Sequence, residues 1–134
     1  MAKLIQTKKE RIYQKYDGKC VYSGTPLEKD WQIDHVQPIR RNIDGSCLNP
    51  INDTEINLVP TQKLINHYKG SMTLQEFRER LNNLHLVLIK LPKNPRTEKS
   101  WKRTIYMITI ADYFGITPTE QFDGKFYFET IINK

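Results

Sequence analysis

The sequence predicts a small α+β domain. Three features carry that expectation: apolar residues at helical spacing near both ends, short β-prone runs among turn residues in the first half, and a length of 134 residues. That length suits one compact core and is too short for two full-sized domains, so a single domain over residues 1–134 is expected.

The elements follow in order. Ile12, Tyr13 and Tyr16 fall at helical spacing and Asp17-Gly18 offers a stop tolerant of positive φ, so residues 7–16 read as a short amphipathic helix. Residues 19–22 and 31–36 are β-prone and flank the turn-rich Ser23-Gly24-Thr25-Pro26, which predicts two strands. Residues 40–53 are rich in Asn, Asp, Gly and Pro without periodicity; they predict a long loop, and long loops in compact domains tend to carry function. Residues 55–59 predict a further short strand. Pro60 then suits the first turn of a helix running to Lys69 and stopped by Gly70.

Thr73 and Glu76 form a capping-box pattern ahead of Phe77, Leu81 and Leu84, which predicts another helix. Residues 85–91 fit either its extension or a buried strand, because short apolar runs do not discriminate. Residues 90–103 hold Pro92, Pro95 and six basic residues against Glu98 alone, predicting a cationic connection. Trp101, Ile105, Ile108 and Asp112 mark a helix ended by Gly115 and Pro118. Asp123-Gly124, set among aromatic and β-branched residues, predicts a hairpin over residues 122–132.

Composition narrows the partners. Lys+Arg number 21 against 15 Asp+Glu, a net charge of +6, and the pI is about 9.3, which favours a polyanion such as nucleic acid. The first residues alternate charge with single apolar side chains and lack the apolar stretch of a secretory signal, and nothing approaches the roughly 20 apolar residues of a membrane span. A cytoplasmic chain is expected. Cys20 and Cys47 form no C-x-x-C pair, so reduced thiols are expected and a four-cysteine zinc site is not.

Three pieces carry chemistry: Ile33-Asp34-His35-Val36-Gln37-Pro38, then Ile56-Asn57-Leu58-Val59-Pro60, then Leu64-Ile65-Asn66-His67-Tyr68-Lys69-Gly70. Each alone is common, since an Asp-His dipeptide arises often by chance and most loop asparagines only close turns. In this order and spacing, with Lys19-Cys20-Val21-Tyr22-Ser23-Gly24 upstream, they resemble the HNH endonuclease family over residues 17–70.

The resemblance implies a ββα-metal nuclease core at residues 17–70, with an N-terminal helix and a mostly helical C-terminal extension at 71–134. It implies a DNA endonuclease, or alternatively a non-catalytic nucleic-acid-binding module that kept the fold. By likeness, His35 is the general base and Asn57 pins the loop that orients it. Asp34 and Asn66 occupy the metal-ligand positions. The chemistry suits these types: neutral imidazole accepts a proton near pH 7, and hard oxygens suit one Mg²⁺ or Mn²⁺ ion whose shell water and phosphate complete. Imidazole is the better transition-metal ligand, so His67 stands as the alternative to Asn66; helix geometry lets only one face the site. Arg40, Arg41, Lys63 and Lys69 are expected to neutralise phosphates of DNA, with a duplex the expected form and a bacterial or phage-infected cell the expected setting; each also fits an ordinary solvated surface.

Two difficulties accompany the resemblance. Adjacent strand residues point to opposite faces, so Asp34 and His35 need a strand that twists or ends there. Family members often hold a structural zinc with two C-x-x-C pairs, where this chain has Cys20, Ser23, Gln62 and Ile65. No structural zinc is expected, and Phe77, Leu81, Leu84, Trp101, Ile105 and Ile108 are expected to brace one face of the core in its place.

Overall fold

The computed structural model describes residues 6–38, 43–44, 46 and 53–131, so Arg40, Arg41 and Cys47 lie outside the described residues. The α+β class holds: the described residues form six helices and a two-stranded antiparallel sheet. The chain divides into two compact units, one of residues up to Leu74 together with those from Phe126 on, the other of Gln75–Lys125.

In the first unit, α1 spans Lys8–Gln14 and begins at Thr7, whose hydroxyl accepts the Glu10 amide at 3.1 Å. It stops where the sequence places the break, with Asp17 and Gly18 both at positive φ (53° and 76°). Glycine is favoured at position 18 by its φ of 76°, which L side chains rarely adopt, and a Cβ there would also crowd the end of the Tyr13 ring. Ile12 is fully buried against Trp31 and Leu58, and Ile33 packs on the same cluster. Strand β1, Gln32–His35, pairs antiparallel with β2, Leu58–Thr61, in the register Gln32↔Thr61, Ile33↔Pro60, Asp34↔Val59 and His35↔Leu58. A 3₁₀ turn, Glu55–Asn57, leads into β2, and α2, Lys63–Lys69, follows it.

Three expectations are corrected here. Residues 19–22 form a tight turn with one bridge, Lys19↔Pro26, because the Cys20 amide bonds the Thr25 carbonyl and the Gly24 amide bonds the Cys20 carbonyl. Pro60 lies within β2 rather than at a helix start. All four β2 residues are buried, and the Pro60 carbonyl accepts the Val21 amide at 2.9 Å, so tertiary pairing outweighs the local fit of proline to a first turn. No hairpin forms at Asp123-Gly124: Asp123 caps the Lys125 amide, Gly124 turns at φ 86°, and the chain enters a short helix α6 at Tyr127–Thr130. The amides of Tyr127 and Phe128 bond the Tyr22 and Val21 carbonyls, and fully buried Phe126 meets Tyr22 edge-on at 5.4 Å.

The second unit has its own core. Helices α3 (Leu74–Asn82), α4 (Leu84–Lys90) and α5 (Glu98–Tyr113) bury Phe77, Leu81, Leu84, Leu88, Met107 and Ile110. Residues 85–90 are thus helical, divided from α3 at Asn83, and Leu91 leaves the helix in an extended conformation. α5 starts at Glu98, earlier than the cationic connection implies, because Thr97 caps the Ser100 amide at 3.0 Å. Trp101, Ile105 and Ile108, expected as bracing residues, are instead about half exposed. With Leu88, Pro92 and Pro95 they line a groove of about 500 Å³ in this unit.

Candidate functional site

The site is built on β1, β2 and α2. Alternation along β1 puts Gln32 and Asp34 on one face and Ile33 and His35 on the other. α2 covers the first face: the Asn66 amide nitrogen donates to Gln32 Oε1 at 2.7 Å, and Lys69 Nζ lies 3.2 Å from Asp34 Oδ2. Ile33 faces the Ile12 cluster, and β1 ends at His35. The regular strand therefore gives Asp34 and His35 separate partners, with both side chains at the end of the ribbon.

Asp34 is buried at 7% exposure and its Oδ2 also accepts the Tyr22 hydroxyl at 2.6 Å. Burial first, then the charge of Asp34, pushes the Tyr22 phenol well above its ordinary pKa, which keeps it a donor. Among the described residues, neither Asp34 Oδ1 nor Asn66 Oδ1 has a hydrogen-bond partner. These two hard oxygens fit a divalent ion by donor type. No cluster of three or more His, Cys, Asp or Glu side chains occurs among the described residues, so such an ion would depend on water and phosphate for most of its shell.

His35 is a quarter exposed, and its Nε2 lies 3.1 Å from Asp53 Oδ1. If Nε2 carries the proton that Asp53 accepts, Nδ1 is the free lone pair; that tautomer is inferred from the hydrogen bond. Asn57 grips the chain two residues beyond His35. Its Oδ1 accepts the Gln37 amide at 2.9 Å, its Nδ2 donates to the Gln37 carbonyl at 2.8 Å, and its own carbonyl accepts the Val36 amide at 3.0 Å.

The candidate phosphate contacts separate. Lys63 is exposed at the start of α2. Lys69 is not a surface residue: it is 1% exposed, and Nζ donates to the His35 carbonyl at 2.9 Å besides facing Asp34. Its charge serves the interior. His67 is exposed, one residue along α2 from the Asn66 that meets β1.

At the four positions compared with zinc ligands, Cys20 and Ile65 are fully buried, and Gln62 joins the turn to the start of α2. Gln62 Oε1 accepts the Glu28 amide at 3.1 Å, while its nitrogen donates to Thr25 Oγ1 at 2.9 Å and the Pro26 carbonyl at 2.8 Å. Ser23 and Thr25 hydroxyls bond each other at 2.7 Å.

Tyr22, Gln32 and Asp53 did not emerge from the sequence as site residues. Gln32 had a usable signal, since it lies two residues before Asp34 and shares its face. Asp53 had none, because it lies 18 residues from His35 in the chain and no local pattern links the two. No protein-family model matches the chain, and no curated protein matches it. No helix among the described residues is long and apolar enough to cross a membrane.

Proposed function

We propose that the chain is a metal-dependent endonuclease that hydrolyses DNA phosphodiester bonds. The observation that carries this reading is the pair of uncommitted oxygens, Asp34 Oδ1 and Asn66 Oδ1, on elements held together by Asn66–Gln32 and Lys69–Asp34, with an acid-partnered histidine next in the chain. Asp53 holds Nε2–H of His35, leaving Nδ1 to take the proton of an attacking water. Asn57 fixes the backbone after His35 and limits how far the imidazole can wander. Asp34 and Asn66 would hold one Mg²⁺ or Mn²⁺, which supplies charge to offset that on the phosphoryl oxygens. Lys63 supports the backbone phosphates. Because β1 stops at His35, a scissile bond laid across the strand end can approach both of its faces.

A second reading, a nucleic-acid-binding module without catalysis, is favoured by one feature: the Asp34 carboxylate already has Lys69 as counter-charge. Plasmid cleavage with Mg²⁺ or Mn²⁺ separates the two. The nuclease reading expects metal-dependent cutting that falls at least about a hundredfold in His35→Ala, the usual scale of general-base loss. Plasmid binding with no metal-dependent cutting supports the module, and wild-type rates in His35→Ala remove His35 as the base.

A further inference from the structure

We propose that the buried Lys69 ammonium is an internal counter-charge that keeps Asp34 from holding a divalent ion until DNA phosphate is present, making metal binding conditional on substrate. The inference rests on the nuclease reading.

Lysine is almost never fully buried unless paired, because desolvating its charge is costly. Here the side chain is 0% exposed, with Asp34 Oδ2 at 3.2 Å, the His35 carbonyl at 2.9 Å and the Tyr22 ring centroid at 5.9 Å. Lys69 lies three residues after Asn66 on α2, so both project from one helix face onto the β1 face that carries Gln32 and Asp34. The ammonium thus meets the Asp34 carboxylate from the same helix face that carries Asn66.

On the Asp34 face of β1 the charge then sums to zero: one carboxylate, one ammonium and a neutral amide, with the Asp53 carboxylate against His35 on the other face. Divalent ions of the Mg²⁺ type bind through one or two carboxylates plus substrate phosphate, and here the single carboxylate is already neutralised. Tyr22 and Lys69 also share Oδ2, leaving Oδ1 as the oxygen of Asp34 without a partner among the described residues. A phosphate group arriving on DNA restores the missing negative charge. Lys69 then needs only to keep its bond to the His35 carbonyl, which ties α2 to the end of β1 whether or not Asp34 changes partner.

The test is a Mn²⁺ titration followed by electron paramagnetic resonance, on the full chain alone and with a short phosphorothioate duplex, alongside thermal melting. The duplex is expected to tighten Mn²⁺ binding at least about tenfold, and Lys69→Met to do the same without DNA, as removal of a positive charge a few ångströms away requires. Lys69→Met is also expected to melt lower than wild type without metal and to regain part of the loss with Mn²⁺. A purely structural lysine predicts a loss that Mn²⁺ does not restore. Equal Mn²⁺ affinity with and without duplex in the wild type overturns the inference even if Lys69→Met fails to fold. If the wild type cuts DNA yet binds Mn²⁺ as tightly alone, the nuclease reading stands and this inference falls. If it neither cuts DNA nor binds Mn²⁺ with duplex, both fall.

Discussion

At the scale of single residues, the site is organised by pairings that fix which atoms stay available. On the nuclease reading Asp53, whose Oδ1 meets His35 Nε2, positions the imidazole, so Asp53→Asn is expected to lower kcat about tenfold or more with little change in KM, and to alter the acid limb of the pH profile. A change confined to KM would assign Asp53 to substrate binding instead. Tyr22 supplies a stability signature. Its pKa is raised in the folded protein, so the neutral phenol contributes fully below the unfolded value of about 10 and the contribution is lost as pH climbs beyond it. The urea midpoint is expected to fall above pH 10, and Tyr22→Phe to flatten that fall while lowering stability at pH 7 through the lost bond to Asp34.

Among the elements, the turn at residues 19–28 and the start of α2 are joined by the Gln62 amide. Gln62→Ala is expected to destabilise the first unit by about 2–3 kcal/mol, since it removes three buried or half-buried hydrogen bonds, to the Glu28 amide, Thr25 Oγ1 and the Pro26 carbonyl, whereas Thr97→Ala at the start of α5 is expected to cost about 1 kcal/mol in the second unit. Urea unfolding followed by circular dichroism measures both. What the sequence made legible at this scale was local: the stop at Asp17-Gly18, the strand at residues 32–35, the end of α2 at Gly70 and the helix through Trp101 all follow from turn chemistry or periodicity. What it hid was decided by distant partners. Pro60 became a strand residue because Ile33 and Val21 pair with it, Asp123-Gly124 made a bend because Val21 and Tyr22 receive the amides beyond it, and Lys69 turned inward because Asp34 waits across the sheet. The half-exposure of Trp101, Ile105 and Ile108 has the same origin: helical spacing identifies an apolar face but not what lies against it.

For the molecule as a whole, the net charge of +6 makes salt the natural probe. If the chain binds DNA through a few phosphate contacts, affinity is expected to drop about tenfold or more between 50 and 200 mM salt, with a log–log slope of about −0.9 per phosphate neutralised. A fluorescence-anisotropy series measures the slope, and a flat response argues that basic surface is not engaged. The division into units has another consequence. The first unit is interrupted: residues 75–125 intervene before Phe126 meets the Tyr22 ring and Tyr127 and Phe128 reach the backbone of Tyr22 and Val21, and the Tyr22 hydroxyl is one of the two groups that hold Asp34. During translation, therefore, the segment carrying Asp34, His35, Asn57 and Asn66 leaves the ribosome long before the aromatic strip that seats Tyr22. The timing of synthesis delays completion of the site until the intervening unit has already been made.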